Sequence, residues 1–154
     1  MTLIKEWATL ISALFKNKPD QPLRQVEMKY VLWPGYVTMA WAGLLITRPG
    51  YKLSDSTINH EDIHRQQALV LGSYWKFYWR YIWEYIGNFF IFWSFSASYN
   101  LISFECQAYG NQDNLGYKVT ADNMKLYKFK VSDKKRLWKE NKHRWKEFCK
   151  QIEP

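Results

Sequence analysis

The sequence predicts an α+β fold, predominantly helical, with a small N-terminal β-sheet and a helical hairpin near the middle of the chain. Three observations predict it. Apolar residues recur at helical spacing towards both ends, residues 25–48 read as short strands around a Pro-Gly turn, and a His-Glu-x-x-His string at 60–64 has useful geometry only on a helix. At 154 residues the chain is one domain, 1–154, long enough to bury a real core.

The elements follow in order. Leu3, Ile4, Trp7, Leu10, Ile11, Leu14 and Phe15 share one helical face, so residues 2–16 form an amphipathic helix. Asn17 to Pro22 breaks it. Val26 to Leu32, the Pro34-Gly35 turn, Tyr36 to Trp41 and Leu44 to Thr47 make the sheet of 25–48, closed by Pro49-Gly50. Asp55, Ser56 and Thr57 supply N-cap chemistry for a helix that carries residues 60–64 in its first two turns. Tyr74 to Tyr99 holds 14 of the 29 aromatic residues, with Gly87-Asn88 its best break. Further helices are expected over about 99–113, about 121–129 and 132–152. The last has Trp138, Trp145, Phe148 and Ile152 as its apolar stripe. The metal-site helices thus span 55–113.

His60 and His64 stand at i and i+4, on one face, where their Nε2 atoms can share one Zn²⁺ at about 2.0–2.1 Å. Glu61 points about 100° around the helix, beside such an ion, where a general base for its water belongs. A centre of this kind needs a third protein ligand. Downstream stands Glu105-Cys106-Gln107-Ala108, an E-x-x-A string. The ordered pair, His60-Glu-Asp-Ile-His64 and Glu105-Cys-Gln-Ala108, resembles the gluzincins, zincin metallopeptidases whose third ligand is a glutamate. It also looks like a set of short bacterial zincin-like proteins with an aromatic-rich stretch between the motifs and a tyrosine after the alanine, here Tyr109.

The resemblance covers residues 43–112 and implies a zincin-like fold. It implies Zn²⁺ on His60, His64 and Glu105, with Glu61 activating the water and Ala108 letting the motif helices approach closely. Larger members stabilise the oxyanion with a downstream His or Tyr. Tyr109, four residues past Glu105, is the first candidate for that catalytic role and His143 the second. Gln67 shares the histidine face and is expected to pack against the hairpin.

If His64 and Glu105 meet at one ion, the 40 residues between them must go out and come back. That demand predicts a helical hairpin turning near Gly87-Asn88. Tyr85 to Phe104 carries no charge, but a single span would put Glu105 roughly 30 Å from the histidines. Asn88, Ser94, Ser96, Ser98 and Asn100 also make it a poor span.

The chain is basic, with 22 Lys+Arg against 14 Asp+Glu and a net charge of +8. Six of those charges lie between Lys130 and Lys150. Aromatic residues reach 19%. This balance leaves room for peripheral contact with an anionic membrane, with nucleic acid the less favoured partner. Cys106 and Cys149 do not read as a disulfide framework, and Lys5 and Glu6 interrupt the apolar run of 1–15, so it does not read as a signal peptide. The expected location is cytoplasmic, extending to the inner membrane surface.

The function expected is zinc-dependent hydrolysis of a peptide bond in a peptide or protein substrate, which the resemblance to the zincin fold implies would be held in extended form along the strand edge near Leu44 to Thr47. One alternative is a zinc-binding protein of this type with little peptidase activity. The other is a basic-aromatic adaptor for anionic membrane or nucleic acid, reading its partner through Lys134, Lys135, Arg136, Lys139 and Lys142.

Overall fold

The N-terminal apolar spacing folds as α1, Leu3–Lys16, burying Leu10 and Ala13. It also buries Glu6, whose carboxylate accepts the backbone N–H groups of Lys29 (2.8 Å) and Tyr30 (2.9 Å). That capture ends the first strand early: β1 is Arg24–Glu27, and Met28 makes the last backbone bond to Thr47. The computed structural model describes residues 2–32 and 37–153, so the Pro34-Gly35 turn and Tyr36 lie outside the described residues. β2 is Thr38–Trp41 and β3 is Leu44–Thr47. Ala42 and Gly43 join them with φ of 44° and 80°, the paired positive values of a two-residue hairpin turn. The sheet order is β1-β3-β2, with β1 parallel and β2 antiparallel to the buried central β3.

Helix α2, Asp55–Leu71, starts at the first of the residues expected to cap it. Ser54 is its N-cap, accepting from Thr57 N–H (3.2 Å), and Gly72 ends it in the left-handed region. Ser73 then caps α3, Tyr74–Phe92, which runs straight through Gly87-Asn88. The hairpin turns later, at Trp93, with φ 48°. Asn88 is committed elsewhere: its amide donates to Ser98 O (3.1 Å) and accepts from Lys134 Nζ (2.8 Å). The residue expected to break the hairpin instead staples its two arms.

The returning arm is two helices, α4 (Phe95–Asn100) and α5 (Ser103–Asn111), in place of one from 99. A single turn, α6 (Asn123–Leu126), stands where a longer helix was expected. The C-terminal helix is split into α7 (Val131–Asn141), a 3₁₀ turn (Lys142–Arg144) and α8 (Trp145–Cys149). Among the described residues no helix is long and apolar enough to cross a membrane.

Two buried clusters result. One packs α1, β3, α2 and α3 around Met28, Ile46, Ile63 and Phe77; the other packs Leu101 and Tyr127 with Trp145 of α8. Helix α5 lies between them, with Ser103 to Ala108 all buried. Because successive helical residues point about 100° apart, Glu105 faces α2 and Cys106 faces α8.

Cys106 is bridged to Cys149, against expectation. The bridge depends on α8 folding back onto α5 with a Cα–Cα distance of 5.5 Å, which cysteine spacing alone does not reveal. Gly110 permits that approach, since a Cβ there would sit 2.7 Å from Cys149 O. Such bridges persist in oxidising surroundings rather than in the cytosol, which weighs against the cytoplasmic expectation. With a sequence separation of 43 residues, opening the bridge should cost about 2–4 kcal/mol. Urea unfolding of Cys149→Ser, or of wild type with reductant, checks this. An unchanged midpoint would mean that the pair contributes nothing to stability.

Lys134, counted with the basic surface, is also buried: its Nζ lies 3.1 Å from Glu84 Oε1. A surface-reading role therefore rests on the other four cations, without it.

Candidate metal centre

Where α2 and α5 pack together, His60, His64 and Glu105 come together as a buried group whose ligand atoms all lie within 4.8 Å of one another. His60 Nε2 is 3.4 Å from Glu105 Oε2, and His64 Nε2 is 3.4 Å from Glu105 Oε1. A tetrahedral ion with arms of 2.0–2.1 Å separates its ligand atoms by about 3.3 Å. The spacing fits.

The imidazoles are fixed from behind. His64 Nδ1–H donates to Gln67 Oε1 at 2.9 Å. The Gln67 amide cannot turn over, because its NH₂ donates to Phe104 O and Gln107 Oε1, both at 3.0 Å. His60 Nδ1–H donates to Gln112 Oε1 at 3.2 Å. Asn59 holds that end of α5 by donating to Gln112 O (2.9 Å) and Asn114 O (3.0 Å). With both Nδ1 atoms donating, both Nε2 atoms face Glu105, the outer-shell arrangement that metal-ligating histidines use. Gln67 thus does more than pack against the hairpin: it sets the His64 ring.

Glu105 supplies the second test. Its Oε1 accepts from Tyr81 OH at 2.6 Å, while its buried Oε2 makes no hydrogen bond among the described residues and has only the His60 Nε2 contact at 3.4 Å. A buried carboxylate oxygen left unpaired is rare and costly, and a cation would satisfy it. Two imidazole Nε2 atoms and the carboxylate that carries this oxygen form a donor set that can hold a metal ion.

Without metal, the same atoms form an ion pair. Burial lowers the His64 pKa, but Glu105 more than offsets this and raises it to about 9. Glu105 is pushed up by burial, yet the two imidazoles hold it well below the usual carboxylate range. Since the folded His64 pKa exceeds its ordinary 6.5, its stabilisation is complete below about pH 6.5 and is lost as pH rises through about 9. The melting temperature of chelator-treated protein should therefore fall across that window, and the slope should disappear in Glu105→Gln. A flat profile would refute the pair.

Glu61 lies beside the group and interacts electrostatically with His64. Its Oε2 accepts from Ala40 N–H of β2 at 3.0 Å. Tyr78 OH likewise accepts from Ala42 N–H at 2.7 Å. Both contacts bear on substrate docking. β3, where an extended peptide was expected, is the central strand with both edges paired. The edge beside α2 belongs to β2, and side chains already occupy the amides of Ala40 in it and of Ala42 in the turn that follows. The expected backbone pairing along 44–47 is overturned.

Tyr109 reaches the site, its ring 4.6 Å from that of His60, with Lys146 Nζ 4.3 Å from the centroid of the same ring. Its hydroxyl pairs with Tyr99. His143 sits in the exposed 3₁₀ turn, apart from the ligand group. Tyr81 and Tyr99 were not foreseen. Burial first and Glu105 second push both phenols well above their usual range, so both remain protonated donors. A signal for Tyr81 exists in the sequence: Tyr74, Tyr78, Tyr81 and Tyr85 recur at i, i+4, i+7 and i+11, marking one face of α3.

No protein-family model, curated protein or solved structure matches this chain.

Proposed function

We propose that this protein is a zinc-dependent metallopeptidase of the zincin type, with Glu105 completing a gluzincin-like ligand set. The observation that carries the reading is the buried His60-His64-Glu105 group with its unpaired Glu105 Oε2, flanked by Glu61. Zinc held by His60, His64 and Glu105 would supply Lewis acidity, polarising the scissile carbonyl and bringing a water's pKa towards neutrality.

The chain's own residues do the rest. Glu61 takes the water's proton and passes it to the leaving amine. Anchorage of one of its oxygens on Ala40 N–H leaves the other as the proton acceptor. Gln67 and Gln112 keep the imidazoles in the tautomer that presents Nε2. Tyr81 orients the Glu105 carboxylate, and Tyr109, beside His60, is placed to donate to a developing oxyanion.

Glu61→Gln tests this. The substitution should lower turnover of an unstructured peptide substrate by about 10²–10⁴-fold while leaving metal content unchanged. Equal activity in both proteins would reject hydrolysis through Glu61 and leave a metal-holding protein without that chemistry.

A further inference from the structure

Helix α3 is chemically two-sided. Its tyrosine stripe turns towards the core and the metal group. Trp75, Trp79, Ile82, Trp83 and Phe90, followed by Trp93 at the helix end, fall within one arc of about 100° and face solvent. Trp79 is 66% exposed, Phe90 65% and Trp93 73%. Single exposed apolar residues need no explanation, but a continuous stripe does. This one extends onto α1, because the Phe15 ring lies 5.5 Å from that of Trp75. Beyond Phe15, α1 exposes Ile4, Trp7 and Ile11.

Charge is sorted on the same two helices. The acid of α1, Glu6, is buried against the backbone at Lys29 and Tyr30. The acid of α3, Glu84, pairs with Lys134 and accepts from Ser103 Oγ at 2.7 Å. Lys5, Lys16, Lys76 and Arg80 remain exposed. The loop after α1 adds Lys18 and Asp20 at the junction, which cancel. The exposed side of the two helices is therefore apolar, tryptophan-rich and positive.

We propose that α1 and α3 together form a surface that lies on an anionic lipid bilayer. Tryptophan favours the headgroup zone, and basic side chains beside it are attracted to lipid phosphates. At 19 residues α3 is about 28 Å long, and it lies in the interface plane rather than across the membrane. A second copy of the chain is the poorer occupant, since an isologous contact brings Lys76 and Arg80 towards their own counterparts.

The experiment is flotation of the full chain with phosphatidylcholine vesicles, with and without phosphatidylglycerol, at low and high salt. Wild type should float with the anionic vesicles and be released by salt. Trp79→Ala/Trp83→Ala should weaken partitioning at least roughly tenfold. Lys76→Gln/Arg80→Gln should weaken it on the order of thirtyfold. All these positions are exposed, and melting curves confirm that the variants fold. Absence of flotation, equal binding by wild type and both variants, or a sedimenting dimer that Trp79→Ala/Trp83→Ala dissociates would overturn the proposal.

Discussion

Replacing Glu105 with alanine is expected to take the metal content of protein purified without chelator from about one ion per chain to nearly none. The affinity loss should exceed the roughly 10–100-fold that follows removal of an outer hydrogen-bond partner. Gln67→Ala, which frees the His64 ring but leaves all three ligands, provides that comparison within the same protein. Elemental analysis of the three proteins reads the result. Glu105 is singled out because it closes the ligand set from a different helix: His60 and His64 are already neighbours on α2, whereas Glu105 arrives only after the chain has traversed α3 and α4. Metal retained at the wild-type level in Glu105→Ala would remove this residue from the centre.

Lys134→Ala should cost about 3 kcal/mol, in the range for breaking a largely buried ion pair by removing one partner. The ammonium bonds Glu84 Oε1 and Asn88 Oδ1, joining α7 to the middle of α3. Without it Glu84 keeps, among the described residues, the Ser103 hydroxyl. For a domain of this size the melting temperature should fall by roughly 6–12 °C, and Glu84→Gln in the same chain should recover part of that loss. Lys135→Ala, one residue on and exposed, should stay within about 0.5 kcal/mol. Equal effects from the two lysines would show that the buried pair has no special weight.

Local chemistry made part of this architecture legible. The His60/His64 pair and the helix that carries it follow from spacing and from a serine-threonine-aspartate start, although the capping residue proved to be Ser54. The pairing of Glu105 with the histidines followed from the ordered motifs and requires the hairpin that is observed. What escaped depends on partners remote in sequence. Gly87-Asn88 has turn propensity, but Asn88 finds Ser98 and Lys134, and those bonds outweigh the local preference. Strand β1 stops at Glu27 because the Glu6 carboxylate captures the next free amides. The Cys106–Cys149 bridge and the burial of Lys134 both depend on how α7 and α8 return to the body of the protein, which no periodicity within those helices states. Tyr81 was hidden differently. It lies in a stretch so rich in aromatics that hydrophobicity alone cannot sort its faces, whereas separating tyrosine from tryptophan does.

Adjacent residues of α5 carry the candidate metal ligand and the disulfide. Glu105 and Cys106 share a peptide bond, so a displacement of α5 that separates the sulfurs also moves the carboxylate. Binding equilibria joined through one rigid element are reciprocal. By whatever factor closure of the bridge tightens metal binding, a bound metal must favour closure over the open dithiol to the same extent. Closing the bridge and filling the centre would then each favour the same placement of α5.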